Sequence, residues 1–340
     1  GMVARIMSDD KERIPSSGDF DCIIIDEAHR GYSLDKELSE AELLYRDQND
    51  FISKYTKVIE YFDAVRIGLT ATPAIHTTKI FGEAVFTYSY REAVIDGYLV
   101  DYDAPHIIKT ELNQNGIHHK KGETLARYNP VTKELLNPAE LEDEVDFEVE
   151  VFNKNVITDS FNDVVLQELS KYIDPEGEEK TIIFAVNDQH AETIVKKLRK
   201  IYEEQDIPGK VVEKITCAIG DRNRVQDAIK RYKNEHYPTI AVTVDLLSTG
   251  IDVPEITKIV FMRRIKSRIL YEQMLGRATR LCPKIGKTHF DIFDAVDLYS
   301  YLDDFSSMKP VVANPSVTFD ELFSGYEKVD DEESLNKQET

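Results

Sequence analysis

Short runs of apolar residues bounded by polar ones predict the strands of a parallel sheet. The first run is Ile23-Ile24-Ile25, which ends at Asp26 and Glu27. The second covers residues 65–69 and ends at a turn rich in hydroxyl groups. Apolar runs without alternation are typical of strands that are covered on both faces. We therefore expect two buried strands, one of which ends at an acidic pair.

Beyond residue 153 the apolar pattern alternates between strand-like and helix-like periods. The predicted strands cover residues 180–185, 211–217, 239–244, 258–262 and 288–293. The predicted helices cover residues 159–172, 189–201, 222–233 and 269–275. This alternation predicts an α/β fold, in which a parallel sheet carries helices on both faces.

The pattern also divides the chain into four parts. Residues 2–100 form a first α/β unit, in which residues 90–96 are a short helix stopped by Gly97. Residues 101–152 show no sustained period and are predicted to be an excursion between units. Residues 153–310 form the second α/β unit, and residues 311–340 form an acidic tail.

Composition supports two domains and excludes a generally basic surface. A chain of 340 residues with a net charge of −21 can bury two cores, but any contact with nucleic acid must come from a local patch. Between residues 258 and 287 the only acid is Glu272. The basic residues of this segment are Lys258, Arg263, Arg264, Lys266, Arg268, Arg277, Arg280, Lys284 and Lys287. The segment predicts a nucleic-acid contact, with binding of the chain's own acidic tail as the alternative.

The cysteines and histidines give no sign of a disulfide framework or a structural metal. Cys22, Cys217 and Cys282 match no ligand spacing and are predicted to be buried free thiols, which favours a reducing, cytoplasmic location. No apolar run is long enough to span a bilayer. His118 and His119 are adjacent in a polar segment without a nearby ligand partner, so we assign no metal there.

The acidic pair at the end of the first strand suits nucleotide hydrolysis. Ligands of open α/β sheets bind at the carboxyl ends of strands. There Asp26 can hold Mg²⁺, usually through water, while Glu27 can orient and deprotonate an attacking water. On this tetrapeptide alone, capping of a following helix by Asp26 and Glu27 is an equally good interpretation.

Two segments in order resemble motifs II and III of superfamily 2 helicases and translocases. They are Ile-Ile-Ile-Asp-Glu-Ala-His, ending at His29, and Gly-Leu-Thr-Ala-Thr-Pro, ending at Pro73. The resemblance implies that Asp26 and Glu27 serve Mg·ATP hydrolysis and that His29 contacts nucleotide. It also implies that Thr70 and Thr72 couple the nucleotide state to the nucleic-acid site.

Two later segments resemble motifs V and VI of the same superfamily. Residues 242–254 imply phosphate-backbone contacts from Thr243, Ser248 and Thr249, and nucleotide contacts from Gly250 and Asp252. In residues 271–280 the resemblance implies that Gln273 is a further nucleotide contact. Arg277 and Arg280 are three apart on one face of a predicted helix and are candidate arginine fingers. Arg263, Arg264 and Lys266 are the candidate DNA contacts of the basic segment.

The details around these motifs resemble the motor of type I restriction enzyme R subunits. The similarity covers residues 20–110 and, more loosely, residues 145–300, and it includes Tyr-Ser-Tyr-Arg-Glu-Ala-Val-Ile-Asp-Gly-Tyr-Leu ending at Leu99. It implies a partial first RecA-like lobe in residues 2–100 and a complete second lobe in residues 153–310. It also implies ATP, Mg²⁺, double-stranded DNA, and the modification and specificity subunits as ligands and partners.

One expected element of such a motor is not found in the sequence. A Gly-x-x-x-x-Gly-Lys-Ser/Thr loop does not occur, and Gly286-Lys287-Thr288 leads into a predicted strand rather than a helix. We therefore expect a fragment of the R subunit, without a nuclease domain, that is inactive alone and that self-associates. The alternatives are a DNA-binding or assembly module that does not hydrolyse ATP, and another superfamily 2 DNA or RNA helicase.

Overall fold

The structure is a computed structural model, and it describes the folding of part of the chain. The described residues are 15–28, 59–71, 75–108, 117–119, 124–128, 135–140, 145–147, 159–220, 222–244, 246, 251–265, 267–302 and 306–311. Several predicted positions therefore lie outside them, namely His29, Thr72, Ser248, Thr249, Gly250, Lys266 and the acidic tail.

The first unit contains a two-stranded parallel sheet. Strand β1 is Cys22–Ile25 and strand β2 is Val65–Gly68, paired so that Ile25 lies beside Gly68. Helix α1, Ile75–Phe81, packs on this sheet. A Cβ atom on Gly68 would lie 2.9 Å from the ring of Phe81, so glycine is required for this close approach.

The prediction that both strands are buried on two faces is wrong. Ile25 is 7% exposed, but Ile24 is 64% exposed and Val65 is 66% exposed. Among the described residues β1 pairs with β2 and with no further strand, and the cluster of Ile25, Ala28 and Ile59 covers one side. The side chains on the other face of the pair are exposed. The prediction failed because an apolar run does not reveal which neighbouring elements cover a strand.

Helix α2, Tyr90–Ile95, confirms the predicted short helix. Ser89 and Glu92 form a capping box at its start, which satisfies backbone donors that the first turn leaves unpaired. Gly97 has a φ of 75°, and this left-handed conformation turns the chain after the helix. The Tyr90 hydroxyl donates to Asp101 Oδ1 at 3.0 Å, so α2 is attached to the segment that follows it.

A seven-stranded parallel sheet dominates the rest of the molecule. Its strands are β3 (Asp101–Tyr102), β4 (His106–Ile107), β9 (Lys180–Phe184), β10 (Val212–Lys214), β11 (Ile240–Thr243), β12 (Ile256–Phe261) and β13 (His289–Asp294). The spatial order is β10-β11-β9-β12-β13-β3, and β4 also pairs with β13. Every residue of β9 is buried, as expected for a central parallel strand.

Helices connect these strands as the sequence predicts. They are α3 (Asp159–Leu169), α4 (Asp188–Glu203), α5 (Arg222–Asn234), α6 (Arg268–Leu275) and α7 (Tyr299–Leu302). One apolar cluster unites the helices with the sheet. The α/β fold class is therefore confirmed. The predicted strand at 211–217 is shorter than expected, because 3₁₀ turns at Gly209–Val211 and Cys217–Ile219 flank β10.

The segment predicted as an excursion also contributes to the second sheet. Strands β3 and β4 lie beside β13, and Tyr102 is 1% exposed. The remaining described parts of this segment form two antiparallel pairs. These pairs are β5 (Ile117–His119) with β8 (Val145–Phe147), and β6 (Thr124–Tyr128) with β7 (Leu135–Glu140). The domain limits themselves stay a prediction.

The three cysteines are free, and one of them is buried. Cys282 is buried, whereas Cys22 is exposed and Cys217 is partly exposed, so the prediction of burial is wrong for these two. Cys22 begins β1, whose sheet has an open face. Within the described ranges, no helix has the length and apolar character needed to cross a membrane.

Candidate ATPase and nucleic-acid site

The acidic pair lies at the carboxyl end of β1, as predicted. Asp26 is exposed and its Oδ1 accepts a hydrogen bond from Glu27 N at 2.8 Å. Glu27 is partly exposed and has a φ of 52°. Left-handed backbone is unusual for a residue other than glycine and is concentrated at functional sites, where the surrounding structure maintains it.

Two backbone hydrogen bonds join this turn to the end of β2. Leu69 N donates to Ile25 O at 2.8 Å, and Ala28 N donates to Leu69 O at 2.9 Å. The motif II and motif III segments are therefore adjacent, and Thr70 follows directly. The helix-capping interpretation of the acidic pair stays open, because residues 29–58 lie outside the described part.

The arginines of the motif VI segment do not lie within a helix. Helix α6 ends at Leu275, and Gly276 is its C-terminal cap. Arg277 N and Ala278 N then donate to Met274 and Leu275 carbonyls, which makes a tight turn instead of a continued helix. The expectation that Arg277 and Arg280 share one helical face is wrong, because the glycine ends the helix before either arginine.

The structure brings the motif V and motif VI segments together. Arg280 Nε lies 2.9 Å from Asp252 Oδ1, and Arg277 Nη1 donates to Ile251 O at 2.8 Å. Arg277 Nε also donates to Gln273 O at 3.2 Å, so its guanidinium bridges both segments. The neighbouring Lys233 at the end of α5, 4.0 Å from Asp252, carries no motif that could have predicted its position.

The same turn is attached to the chain that arrives from the first unit. Val100 N donates to Thr279 O at 2.8 Å, and Leu99 forms an isolated antiparallel bridge with Arg280. The backbone around Arg280 is thus fixed by residues that directly precede β3. This contact joins the segment that resembles motif VI to the end of the Tyr-Ser-Tyr-Arg-Glu-Ala-Val segment.

The candidate DNA contacts have different environments. Arg263 Nη1 donates to Val244 O at 3.3 Å and Arg264 Nε donates to Val296 O at 2.9 Å, and both side chains are partly exposed beyond the carboxyl end of β12. Thr243 is fully buried in β11, and its hydroxyl oxygen has no hydrogen-bond partner among the described residues. This burial argues against a phosphate contact from Thr243.

Other basic residues of the segment have structural roles. Lys258 pairs with Glu179, and Arg268 pairs with the buried Glu272 at 2.8 Å. Lys287 donates to the carbonyls of Pro254 and Ile256, and burial lowers its pKa to about 8. Because the ammonium of Lys287 is used inside the protein, Gly286-Lys287-Thr288 is a turn and not a phosphate-binding loop.

Comparison with known proteins finds two helicase and restriction-enzyme families that match the segments described above. A family described as "Helicase conserved C-terminal domain" matches residues 164–282, and one described as "Type III restriction enzyme, res subunit" matches residues 2–75. The EcoKI endonuclease subunit of a type I restriction enzyme from Escherichia coli K12 is 49% identical over 306 residues, which are 89% of this chain. This chain is a homologue of type I restriction endonuclease subunits.

Two further relatives agree with this placement. The EcoAI endonuclease subunit of Escherichia coli is 28% identical over 81% of this chain. A structure described as a fragment of a type I restriction enzyme HsdR subunit from Vibrio vulnificus is 25% identical, with a TM-score of 0.59. The match covers 86% of this chain and 47% of the Vibrio chain. The chain spans 26% of the EcoKI subunit and 31% of the EcoAI subunit. Because the helicase family matches residues 164–282, the chain corresponds to the helicase-like part of these endonuclease subunits.

Proposed function

We propose that this chain is part of a motor that couples ATP hydrolysis to the translocation and cleavage of double-stranded DNA within a restriction-modification complex. The observation that carries the proposal is the pairing of β1 with β2, which puts the acidic turn and Thr70 at one sheet edge in a homologue of type I endonuclease subunits. The modification and specificity subunits would be its partners, and the complex would act in the cytoplasm.

The described residues fit part of a Mg·ATP site. Asp26 is exposed, and only one of its oxygens accepts a hydrogen bond from the described residues, so its carboxylate can hold a hydrated Mg²⁺. Magnesium would supply charge neutralisation on the phosphates. Glu27 would orient and deprotonate the attacking water, while Gln273 and Asp252 would contact nucleotide at the opposing segment.

Arg277 and Arg280 would stabilise the charge that develops on the transferred phosphoryl group. In the structure each guanidinium already donates to a backbone carbonyl, and Arg280 also pairs with Asp252. The Asp252 side chain is 61% exposed, so this ion pair contributes little stability and can be exchanged for a phosphate at small cost. Planar guanidinium groups match phosphate oxygens in a bidentate way that lysine cannot reproduce.

The test is a set of variants in a full-length endonuclease subunit that contains this chain. We expect Arg280→Ala to lower the kcat of DNA-stimulated ATP hydrolysis by on the order of 10³, with the unfolding free energy reduced by about 1 kcal/mol or less. Arg280→Lys should restore little of this loss. Arg277→Ala should have a similar kinetic effect and a larger stability loss, since Ile251 O then loses its donor.

Two sets of controls separate catalysis from charge and folding. Arg231, which pairs with Glu213 outside this site and is 43% exposed, is the matched arginine, and Arg231→Ala should leave kcat unchanged. Arg263→Ala and Arg264→Ala should weaken DNA binding and make its salt dependence shallower, while hydrolysis without DNA is unchanged. Normal turnover in the Arg280 variant would contradict the assigned role.

A further inference from the structure

One face of β13 carries metal-ligating side chains that the proposed motor does not use. His289 and Asp291 are two residues apart on this strand and therefore lie on the same face of the sheet. Asp103 directly follows β3, which pairs with β13 in parallel. One ligand atom from each of these three side chains lies within 4.8 Å of the others, and all three side chains are partly buried.

His106 on β4 lies beside this cluster and approaches one of its members, Asp291. Its Nε2 lies 3.9 Å from Asp291 Oδ1, and Nε2 of His289 also lies 3.9 Å from that oxygen. In a tetrahedral zinc site with bonds of about 2.0–2.1 Å, neighbouring ligand atoms are about 3.4 Å apart. A bound ion therefore requires each histidine Nε2 to move about 0.5 Å toward Asp291 Oδ1, and the ligand atoms of Asp103, His289 and Asp291 to close by at most about 1.4 Å. His106 must also turn toward the other two ligands, and rotation of its exposed side chain can supply this movement.

Neighbouring groups orient both imidazole rings. The ring of His106 stacks on Phe293 with centroids 4.9 Å apart and an interplanar angle of 14°. His289 Nδ1 lies 3.0 Å from the Thr288 hydroxyl oxygen. When Nδ1–H donates to that oxygen, Nε2 keeps its lone pair on the side of Asp291. Such a second hydrogen bond is the usual way in which proteins fix a histidine ligand.

The two histidine contacts with Asp291 are weak as ion pairs, whereas the four side chains together are suitable metal ligands. Both histidine contacts with Asp291 are longer than a hydrogen bond, and two carboxylates within 4.8 Å repel each other. A divalent cation removes this repulsion. Two imidazoles with two carboxylates suit zinc, cobalt or nickel better than magnesium or calcium, which prefer ligand sets made wholly of oxygen.

We propose that Asp103, His106, His289 and Asp291 form a binding site for a zinc-type divalent metal ion that fastens residues 101–108 to the second sheet. Strands β3 and β4 contain two residues each, so their backbone pairing alone holds this segment weakly. The ion would connect them to a strand far along the chain. Closing such a long loop stabilises the fold and fixes the segment that precedes β3.

The experiment uses the chain without an affinity tag, stripped of metal by chelation. Co²⁺ is titrated while visible absorption is recorded, and melting temperature is measured with and without Zn²⁺. We expect one intense set of d–d bands that saturates near one equivalent and is removed by Zn²⁺. The melting temperature should rise by roughly 5 °C when Zn²⁺ exceeds its Kd a hundredfold.

Four single variants and two controls decide the assignment. Asp291→Asn and His289→Gln should each weaken Co²⁺ binding at least 100-fold and abolish the Zn²⁺-dependent rise in melting temperature, and so should Asp103→Asn and His106→Gln. His236→Gln removes an exposed histidine that lies 3.7 Å from Glu178, and His118→Gln with His119→Gln removes the adjacent pair. Both controls should bind Co²⁺ as the unchanged chain does.

The outcomes are distinguishable from misfolding and from adventitious binding. Melting curves without metal show which variants fold, and if Asp291→Asn does not fold, the other three decide. The proposal is overturned if the unchanged chain binds no Co²⁺ at micromolar concentration. It is also overturned if folded variants of the four residues bind normally, or if the His118 and His119 variant abolishes binding. Neither the Co²⁺ absorption nor the melting temperature depends on ATPase activity, so a negative result for the metal site does not contradict the proposed motor function.

Discussion

His190 is held in its neutral form by its hydrogen-bond partners. Nδ1 accepts from Val186 N at 3.2 Å, which leaves Nε2–H to donate to Asn162 Oδ1 at 3.0 Å. A second proton on Nδ1 would face an N–H donor. The side chain is 1% exposed, and burial lowers the pKa of His190 from 6.5 to about 3.

Because the pKa of His190 is lowered in the folded protein, we expect the free energy of unfolding to decrease in acid. Between its unfolded pKa of 6.5 and its folded pKa of about 3, the unfolded chain binds the additional proton, so stability falls as pH falls. The slope from this one group is at most about 1.4 kcal/mol per pH unit. We expect His190→Gln to be less stable than the unchanged protein at neutral pH, with the difference narrowing toward pH 4.5. Urea unfolding of both proteins between pH 7 and pH 4.5 measures this difference in unfolding free energy.

The exposed His236 supplies the comparison for that experiment. It is 38% exposed and its ring nitrogen lies 3.7 Å from Glu178. His236→Gln should keep the pH dependence of the unchanged protein, because the buried histidine is still present. Parallel stability curves for the His190 variant and the unchanged protein would show that the acid sensitivity has another origin.

The location of a single residue could be predicted where it directly follows a recognisable strand. Asp26 and Glu27 follow an apolar run, so their place at a strand end could be predicted. The pairing of Arg280 with Asp252 could not, because two turns with irregular backbone bring them together. The predicted phosphate contact of Thr243 came from a motif resemblance, whereas every residue of β11 is buried, as the apolar pattern of a central parallel strand predicts.

At the scale of the elements, the β1–β2 pair carries several large apolar side chains that are exposed. Ile24 and Ile67 lie side by side in the register and are 64% and 42% exposed, and Leu69 beyond them is 52% exposed. In the described part of the chain β1 and β2 pair only with each other, and an open apolar face together with such an edge favours pairing with another chain. We expect the isolated chain to self-associate, with a molar mass by light scattering that rises with concentration.

A double variant tests whether this surface is responsible. Ile24→Thr with Ile67→Thr keeps β-branched residues in both strands and should shift the association to higher concentration at little cost in stability. Val164→Thr changes an apolar residue on α3 that is 54% exposed and should leave association unchanged. A mass that stays monomeric over a wide concentration range in the unchanged chain would contradict the prediction.

Elements with long patterns were predicted best. The helix α4 and the strand β9 lie within one or two residues of their predicted ends, because a sustained period or a run of apolar residues marks them. Strands β3 and β4 contain two residues each and carry no period. The helix predicted at residues 269–275 matches α6, which ends at Leu275. The expectation that Arg277 and Arg280 share a helical face was wrong, since the Gln-x-x-Gly-Arg pattern marks a motif and does not mark where the helix ends.

At the scale of the whole molecule, the sequence pattern of a phosphate-binding loop decides what we expect of the isolated chain. The acidic pair and the two arginines occur, but a Gly-x-x-x-x-Gly-Lys-Ser/Thr loop does not. That loop binds the β- and γ-phosphates in motors of this kind. We expect the isolated chain to show no ATP hydrolysis stimulated by DNA, measured as phosphate release with and without duplex.

Glu27→Gln serves as the check on contaminating activity in that measurement. Any residual phosphate release should be the same in the unchanged chain and in this variant. Turnover that duplex DNA stimulates and that the variant abolishes would contradict the expectation. It would show that residues of this chain bind the phosphates in another way.

The bond from Val100 N to Thr279 O has a mechanical consequence. The chain from the first sheet reaches the second one through residues 97–100, and it is held at Val100 and Leu99 before β3 begins. A force that separates the two sheets would therefore load the Tyr90 contacts of α2 and these two backbone contacts before it loads the larger sheet. The turn that holds Arg280 thus lies on the path by which tension between the two sheets is transmitted along the chain.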